Sequence, residues 1–246
     1  EGRLHPIRIQ YLRRTERQPI AVMAANGVEQ ILPQSEGDVL VFLPGVGEIL
    51  KSRNELATLA RRHNLAVLTL FGDMSAEDQD RVLVPGEQRK VILSTNVAET
   101  SVTIEGVTAV VDTGLARQMQ FDADIGLDRL ELTQVSKAST DQRAGRAGRT
   151  QPGICLRLWD EATQRHRPDF DIAELHRVDL SSAILRLYDW GESDGAAFPW
   201  FEVPPAASIE HAQKLLRLLG ASDDNGITPL GRKMVRLPVS PRIGRL

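Results

Sequence analysis

Apolar residues along this chain fall into two periods. The run Val39-Leu40-Val41-Phe42-Leu43 is continuously apolar, the mark of a strand covered on both faces. Ile7 to Leu12, Ala66 to Leu70, Lys90 to Ser94, Val107 to Val111 with Asp112 at its end, and Gly153 to Leu158 are further short runs of strand type. Between them the spacing lengthens. Ile20, Met23, Ala24, Gly27, Val28 and Ile31 recur at helical intervals, Glu48 to His63 reads as one helix with Ile49, Leu56, Leu59 and Ala60 inward, and Ser75 starts a helix ending near Leu83. Strands alternating with helices predict βαβ units and a parallel, doubly wound sheet. Ligands in such sheets bind beyond the carboxyl ends of the strands. Pro44 to Gly47, Thr95-Asn96 and Asp112-Thr113-Gly114 fall there.

Two stretches break this rhythm. Gln118 to Phe121 and Arg129 to Gln134 are extended, with Gly126 between them, and predict a β-hairpin over about residues 117–134. Beyond Pro168 helices dominate. Asp179 precedes a helix with Leu180, Ala183, Ile184, Leu187 and Tyr188 on one face, stopped by Gly191. Ser208 precedes another, with Ile209, Ala212, Leu215, Leu216 and Leu219 apolar and Gly220 as its stop. Asn225-Gly226 then signals a tight turn. Helices followed by a small turn-centred β element suggest a winged-helix fold. The expected organisation is an α/β domain over residues 1–170, a small, mostly α winged-helix domain over 171–237, and at 238–246 the start of a helical element that the chain does not finish.

Composition narrows the class only a little. The 246 residues include 41% hydrophobic and 26% charged, ordinary for a globular protein. A net charge of −3 gives no bulk signal for nucleic acid, so any such surface must be local. One cysteine, Cys155 in an apolar run, excludes an intramolecular disulfide and a zinc cluster and suits a reducing, cytoplasmic setting. No stretch approaches the length of a membrane span.

The candidate chemistry lies in Gln142-Arg-Ala-Gly-Arg-Ala-Gly-Arg149. Ser139, three residues before Gln142, predicts a helix start there by the capping-box pattern. At 100° per residue Gln142 lies at 0°, Arg146 at about 40° and Arg149 at about −20°, so the three share a face. Gly145 and Gly148 lie together elsewhere, and close backbone packing is the usual reason for helix glycines. Two guanidiniums and an amide on one face suit a polyphosphate. A solvated, arginine-rich face is the plainer alternative. A second constellation, Ser94-Thr-Asn-Val-Ala-Glu-Thr-Ser-Val-Thr-Ile-Glu-Gly106, leaves a strand and becomes hydroxyl-rich. Such a turn can hold nucleic-acid phosphates without reading sequence, though on its own it is as readily a helix entry.

Together these stretches resemble motifs VI and V of the DEAH-box branch of superfamily 2 RNA helicases, and the details look most like the bacterial HrpB-type members. The leading Gln142 is similar to that branch, and Val110-Val-Asp-Thr-Gly114 resembles the family's segment just C-terminal to motif V. Val41-Phe-Leu-Pro-Gly45 through Ile49 looks like motif IV with its hook loop, so the likeness runs the length of the chain. It implies a second RecA-like domain in which Gln142, Arg146 and Arg149 contact nucleotide phosphates. It also implies Thr103 and Glu105 near the ribose, and Leu83 beside the base, where many relatives carry Phe. Thr95 with Asn96, and Gly45 with Val46, then stand at RNA-contacting positions. Motif IV here lacks the usual polar residues after its glycine, which shifts its RNA contacts to the backbone. Many relatives also carry Asp in place of Glu105.

The chain holds neither a Gly-x-x-x-x-Gly-Lys-Thr phosphate loop nor an Asp-Glu-Ala-His segment, the elements that bind Mg²⁺ and position the attacking water. The expectation is therefore the C-terminal half of a motor, without ATPase activity by itself. ATP or another NTP, with Mg²⁺, would be held mainly by a first RecA-like domain of the same protein, and single-stranded RNA, or alternatively DNA, would be the partner. The rival is a non-enzymatic winged-helix DNA-binding module with an α/β regulatory domain. It calls for a basic recognition helix, yet Ser208 to Leu219 offers only Lys214 and Arg217 against Glu210. A nucleotide-sensing scaffold, the third reading, leaves the hydroxyl-rich turn and the hairpin unexplained.

Overall fold

The computed structural model describes residues 5–13, 18–100, 102–122, 125–192 and 194–246. Its strands are β1 (Ile7–Tyr11), β2 (Asp38–Phe42), β3 (Ala66–Leu70), β4 (Lys90–Ser94), β5 (Val107–Asp112), β6 (Leu115–Asp122), β7 (Leu127–Gln134), β8 (Gly153–Arg157), β9 (Ser222–Asp223) and β10 (Gly226–Ile227). The helices are α1 (Ile20–Ile31), α2 (Val46–Glu55), α3 (Ala57–His63), α4 (Ala76–Leu83), α5 (Val97–Thr100), α6 (Lys137–Gly145), α7 (Glu161–His166), α8 (Ser181–Trp190), α9 (Ala206–Leu218), α10 (Pro229–Val235) and α11 (Pro241–Gly244). The chain divides into two compact units, residues 1–118 with 132–171, and residues 119–131 with 172–246.

The first unit is built on a six-stranded sheet in the order β1-β8-β5-β2-β4-β3, with every pairing parallel. The two-residue side-chain period divides each central strand between two cores. Val39, Val41, Val91, Leu93, Ala109 and Val111 pack with Ala24, Val28, Ile31, Ile49, Leu56 and Leu59 of α1, α2, α3 and the turn joining α2 to α3. Leu40, Phe42, Ile92 and Val110 face the other way, against Val82, Ala98, Ala144 and Ala147. Helices on both faces are the reason these strands read as unbroken apolar runs. Cys155 is fully buried in the second cluster, as a small core residue.

Several boundaries differ from the sequence reading. The helix expected over residues 48–63 starts at Val46 and is interrupted at Leu56. There the backbone relaxes to φ −77°, ψ −10° while the side chain stays buried in the core. Apolar spacing continues through the break, so the period alone could not reveal it. The hairpin strands begin earlier than expected, at Leu115 and Leu127.

In the second unit, Leu180, Ile184 and Leu187 of α8 and its entry pack on Ile209, Ala212 and Leu216 of α9, with Ala221 and Met234. α9 starts at Ala206 behind Pro205, two residues before the expected Ser208 cap. The cap expected at Asp179 is displaced by one residue: Leu180 is the N-cap of α8, without a side-chain cap bond, and the Asp179 carboxylate accepts the Ser181 N–H at 2.8 Å from one position earlier. Gly191, Gly220 and Gly226 adopt φ of +97°, +70° and +106°, which suits the two helix stops and the β9–β10 turn.

Candidate functional site

The carboxyl ends of the central strands are tied to one another by backbone bonds. Leu43 N–H donates to Ser94 O at 2.8 Å, Thr95 N–H to Leu70 O at 3.2 Å, and Leu158 N–H to Asp112 O at 2.9 Å. The Thr113 hydroxyl donates to Phe42 O at 2.8 Å. Gly45-Val46, Thr95-Asn96 and Thr113-Gly114 therefore emerge at one edge of the sheet. Gly45 is buried at the start of α2, and a Cβ there would sit 2.9 Å from Arg117 Nε. Val46 and Asn96 are exposed and Thr95 is half-buried.

From Thr95 the chain enters the single turn of α5, pinned by buried Ala98. Ser101 lies outside the described residues. Thr103 and Glu105 are then exposed on either side of buried Ile104. Leu83, at the end of α4, is half-buried against the second core cluster, and its neighbour Val84 is 61% exposed.

The arginine stretch departs from the uniform helix expected of it. α6 is capped by Ser136, whose hydroxyl accepts the Ser139 N–H at 3.1 Å. Ser139 is not the cap, because its own hydroxyl donates to Glu99 Oε1 at 2.7 Å. At Arg146 the winding tightens into a 3₁₀ turn through Gly148, so the 100° spacing fails there. Gln142 and Arg149 are exposed, whereas Arg146 is buried. The three do not share one open face. Arg146 donates Nη1 to Val102 O at 2.5 Å and Nη2 to Glu99 O. Arg149 Nη1 donates to the Thr103 hydroxyl at 2.5 Å. Burial, and secondarily the like charge of Arg149, lower the Arg146 pKa, while Glu99 opposes both. The two guanidiniums thus lie within electrostatic reach of each other, a fit for a polyanion.

The glycines divide as well. A Cβ on Gly148 would meet Ile7 Cγ1 at 2.7 Å and His5 O at 2.8 Å, so close packing holds there. Nothing lies within 4 Å of a Cβ on Gly145, and the packing expected at that position is not present.

Arg143, passed over in the sequence, is the interior anchor. It is 1% exposed. Its Nε donates to Glu99 Oε2 at 2.9 Å, and its Nη1 to Asp112 Oδ1 at 3.0 Å and Leu115 O at 3.2 Å. The Phe42 ring lies beneath it, 4.9 Å from Cζ to centroid. Desolvation alone would lower the Arg143 pKa, but Asp112 and Glu99 outweigh it and the net shift is upward. Within α6 Arg143 follows Thr140 by three residues and Ser139 by four, on the face of the helix that is buried. Glu99 is the hub of the site. Its carboxylate takes Ser139 and Arg143, and its carbonyl takes Arg146.

Residues 24–151 match the helicase conserved C-terminal domain. This chain belongs to the DEAH-box RNA helicase family. It is 38% identical over 248 residues to the ATP-dependent RNA helicase HrpB of Escherichia coli (strain K12), covering 100% of this chain and 30% of that protein. It is 37% identical over 257 residues to the ATP-dependent RNA helicase HrpA of the same organism, covering 100% of this chain and 20% of the relative. A crystal structure of the Escherichia coli DEAH/RHA helicase HrpB superposes with a TM-score of 0.92 at 38% identity, over 100% of this chain and 31% of that one. The chain thus spans less than a third of the length of these helicases. Among its described residues no helix is long and apolar enough to cross a membrane.

Proposed function

We propose that this chain is the C-terminal motor half of an ATP-dependent 3′–5′ RNA helicase, acting in the cytoplasm. In this reading residues 1–170, with the hairpin at about 117–134, form a second RecA-like domain, residues 171–237 a winged-helix domain, and residues 238–246 the start of a helical domain. ATP binds between the first unit and a first RecA-like domain of the same protein. The observation that carries the proposal is the bond from Arg149 to Thr103, which joins two sequence constellations 46 residues apart at one exposed spot.

Arg149 and Gln142 are exposed and reach the phosphates, with Arg146 beside them adding positive charge. Two fixed guanidiniums oppose the charge that grows on a transferring phosphoryl group, an effect of about 10³–10⁵ in rate for arginine fingers. Thr103 and Glu105 flank the ribose, and Leu83 offers the base an apolar side of low selectivity. Mg²⁺ is assigned to the first domain. Among the described residues no three His, Cys, Asp or Glu side chains converge to hold an ion. Single-stranded RNA runs along the carboxyl edge of the sheet over Thr95, Asn96, Gly45 and Val46, held by its backbone. The hairpin of β6 and β7 obstructs the second strand.

Mixing this chain with a separately produced first RecA-like domain tests the reading. RNA-stimulated ATP turnover that Arg149→Ala abolishes is the expected result, with no turnover by this chain alone. Steady hydrolysis by the isolated chain above an Arg146→Ala control would refute the half-motor assignment. Absence of both turnover and RNA binding would favour the nucleotide-sensing scaffold over the motor.

A further inference from the structure

The base of the hairpin is held by a residue that the nucleotide and RNA assignments do not use. Arg167, 4% exposed, directs one nitrogen at both feet of the hairpin. Its Nη1 donates to Gly114 O at 2.9 Å and to Val135 O at 2.7 Å. These residues immediately precede β6 and succeed β7, and they also bond each other, Val135 N–H to Gly114 O at 3.1 Å. The Arg167 guanidinium lies on Trp159, 4.2 Å from the ring centroid. Gly114, at φ +67°, is pressed so closely into this stack that a Cβ would lie 2.7 Å from the Trp159 ring.

Beyond Arg167 the chain runs along the start of α6. Lys137 N–H donates to Pro168 O at 2.9 Å and Ala138 N–H to Asp169 O at 3.0 Å. The Asp171 carboxylate accepts from the Ser136 N–H at 3.1 Å and from its hydroxyl at 3.0 Å. From the other side, Arg143 of α6 donates to Leu115 O, the first residue of β6, and shares Asp112 Oδ1 with the Gly114 N–H. Both feet of the hairpin are therefore bolted to the helix that presents Arg146 and Arg149.

We propose that Arg167 is a positioning residue that makes the hairpin base and the arginine helix one rigid piece, so that strand separation depends on it and nucleotide hydrolysis does not. This rests on the helicase reading above. Among the described residues, the Arg167 guanidinium bonds Gly114 O and Val135 O and stacks on Trp159, none of which is assigned to nucleotide or RNA. Its loss takes the Arg167 donor from Val135 O, leaves Gly114 O with the Val135 N–H alone, and frees the hairpin to change its angle at the base.

The test uses the full-length protein with ATP and two RNAs, a single strand for hydrolysis and a duplex with a 3′ single-stranded tail for unwinding. The readout is base pairs separated per ATP hydrolysed, which a general loss of folded protein does not move. Arg167→Gln is expected to keep RNA-stimulated hydrolysis within about twofold and to lower base pairs per ATP about tenfold or more, as misplacement of a working element does. Arg167→Lys, which keeps one donor and the charge, is expected to recover part of the loss. If Arg167→Gln does not fold, Arg167→Lys against the unaltered protein carries the same comparison. Hydrolysis and unwinding falling in proportion, or unwinding per ATP unchanged, would overturn the positioning role and leave the helicase reading intact. No RNA-stimulated hydrolysis by the unaltered protein would overturn both.

Discussion

Replacing Arg143 by Met removes a cation held in the interior by two carboxylates. Met fills much of the same volume and keeps contact with Phe42, so the cavity term is small and electrostatics dominates. Asp112 is 0% exposed and Glu99 14%, and Arg143 is the cation paired with both. Breaking a buried pair by deleting one partner costs about 3–5 kcal/mol. That is a large share of the 5–15 kcal/mol by which a domain is ordinarily stable. With a urea slope of about 2 kcal/mol/M, the unfolding midpoint of the first unit falls by roughly 1.5–2.5 M. Urea titration followed by far-UV circular dichroism measures this directly. The double variant Arg143→Met with Asp112→Asn removes the stranded charge as well. It is expected to regain at least about 1 kcal/mol relative to Arg143→Met alone, a coupling that a double-mutant cycle isolates. A loss below about 1 kcal/mol for Arg143→Met, or single-variant losses that simply add, would refute the claim that an ion network holds the turn to the arginine helix.

Gly145→Ala is expected to be neutral or to stabilise by up to about 1 kcal/mol, since helix propensity improves and space is open. Gly148→Ala, three residues on, should destabilise by about 1–3 kcal/mol through its collision with Ile7 and the His5 carbonyl. Equal thermal shifts for the two would contradict the packing described. Ser136→Ala removes the cap of α6 and should cost about 0.5–2 kcal/mol in chemical denaturation. Burial pushes the Cys155 thiol pKa upward. Its reaction with a thiol reagent should therefore be negligible in the native protein at neutral pH and should rise only with the unfolded population in urea. Prompt labelling of the folded chain would contradict the burial.

The local sequence was enough to locate the central strands, because a strand covered on both faces must be apolar at every position, as Val39 to Phe42 and Val107 to Val111 are. It was enough for the helix stops at Gly191 and Gly220 and for the turn at Gly226, where the backbone takes a positive φ. It also carried the two motif stretches, 94–106 and 142–149, which lie inside the segment that matches the helicase conserved C-terminal domain. It did not decide how those stretches meet. The choice of Ser136 over Ser139 as helix cap arises because Glu99, 40 residues away, claims the Ser139 hydroxyl. Arg143 and Arg146 look alike in sequence, yet one is anchored by Glu99 and Asp112 and the other by the carbonyls of the 94–106 turn. The clasp of Arg167 on Gly114 spans 53 residues. Periodicity reports only which face of an element is buried. Which buried polar group finds which partner is set by the crossovers of the sheet, and only the folded chain decides that.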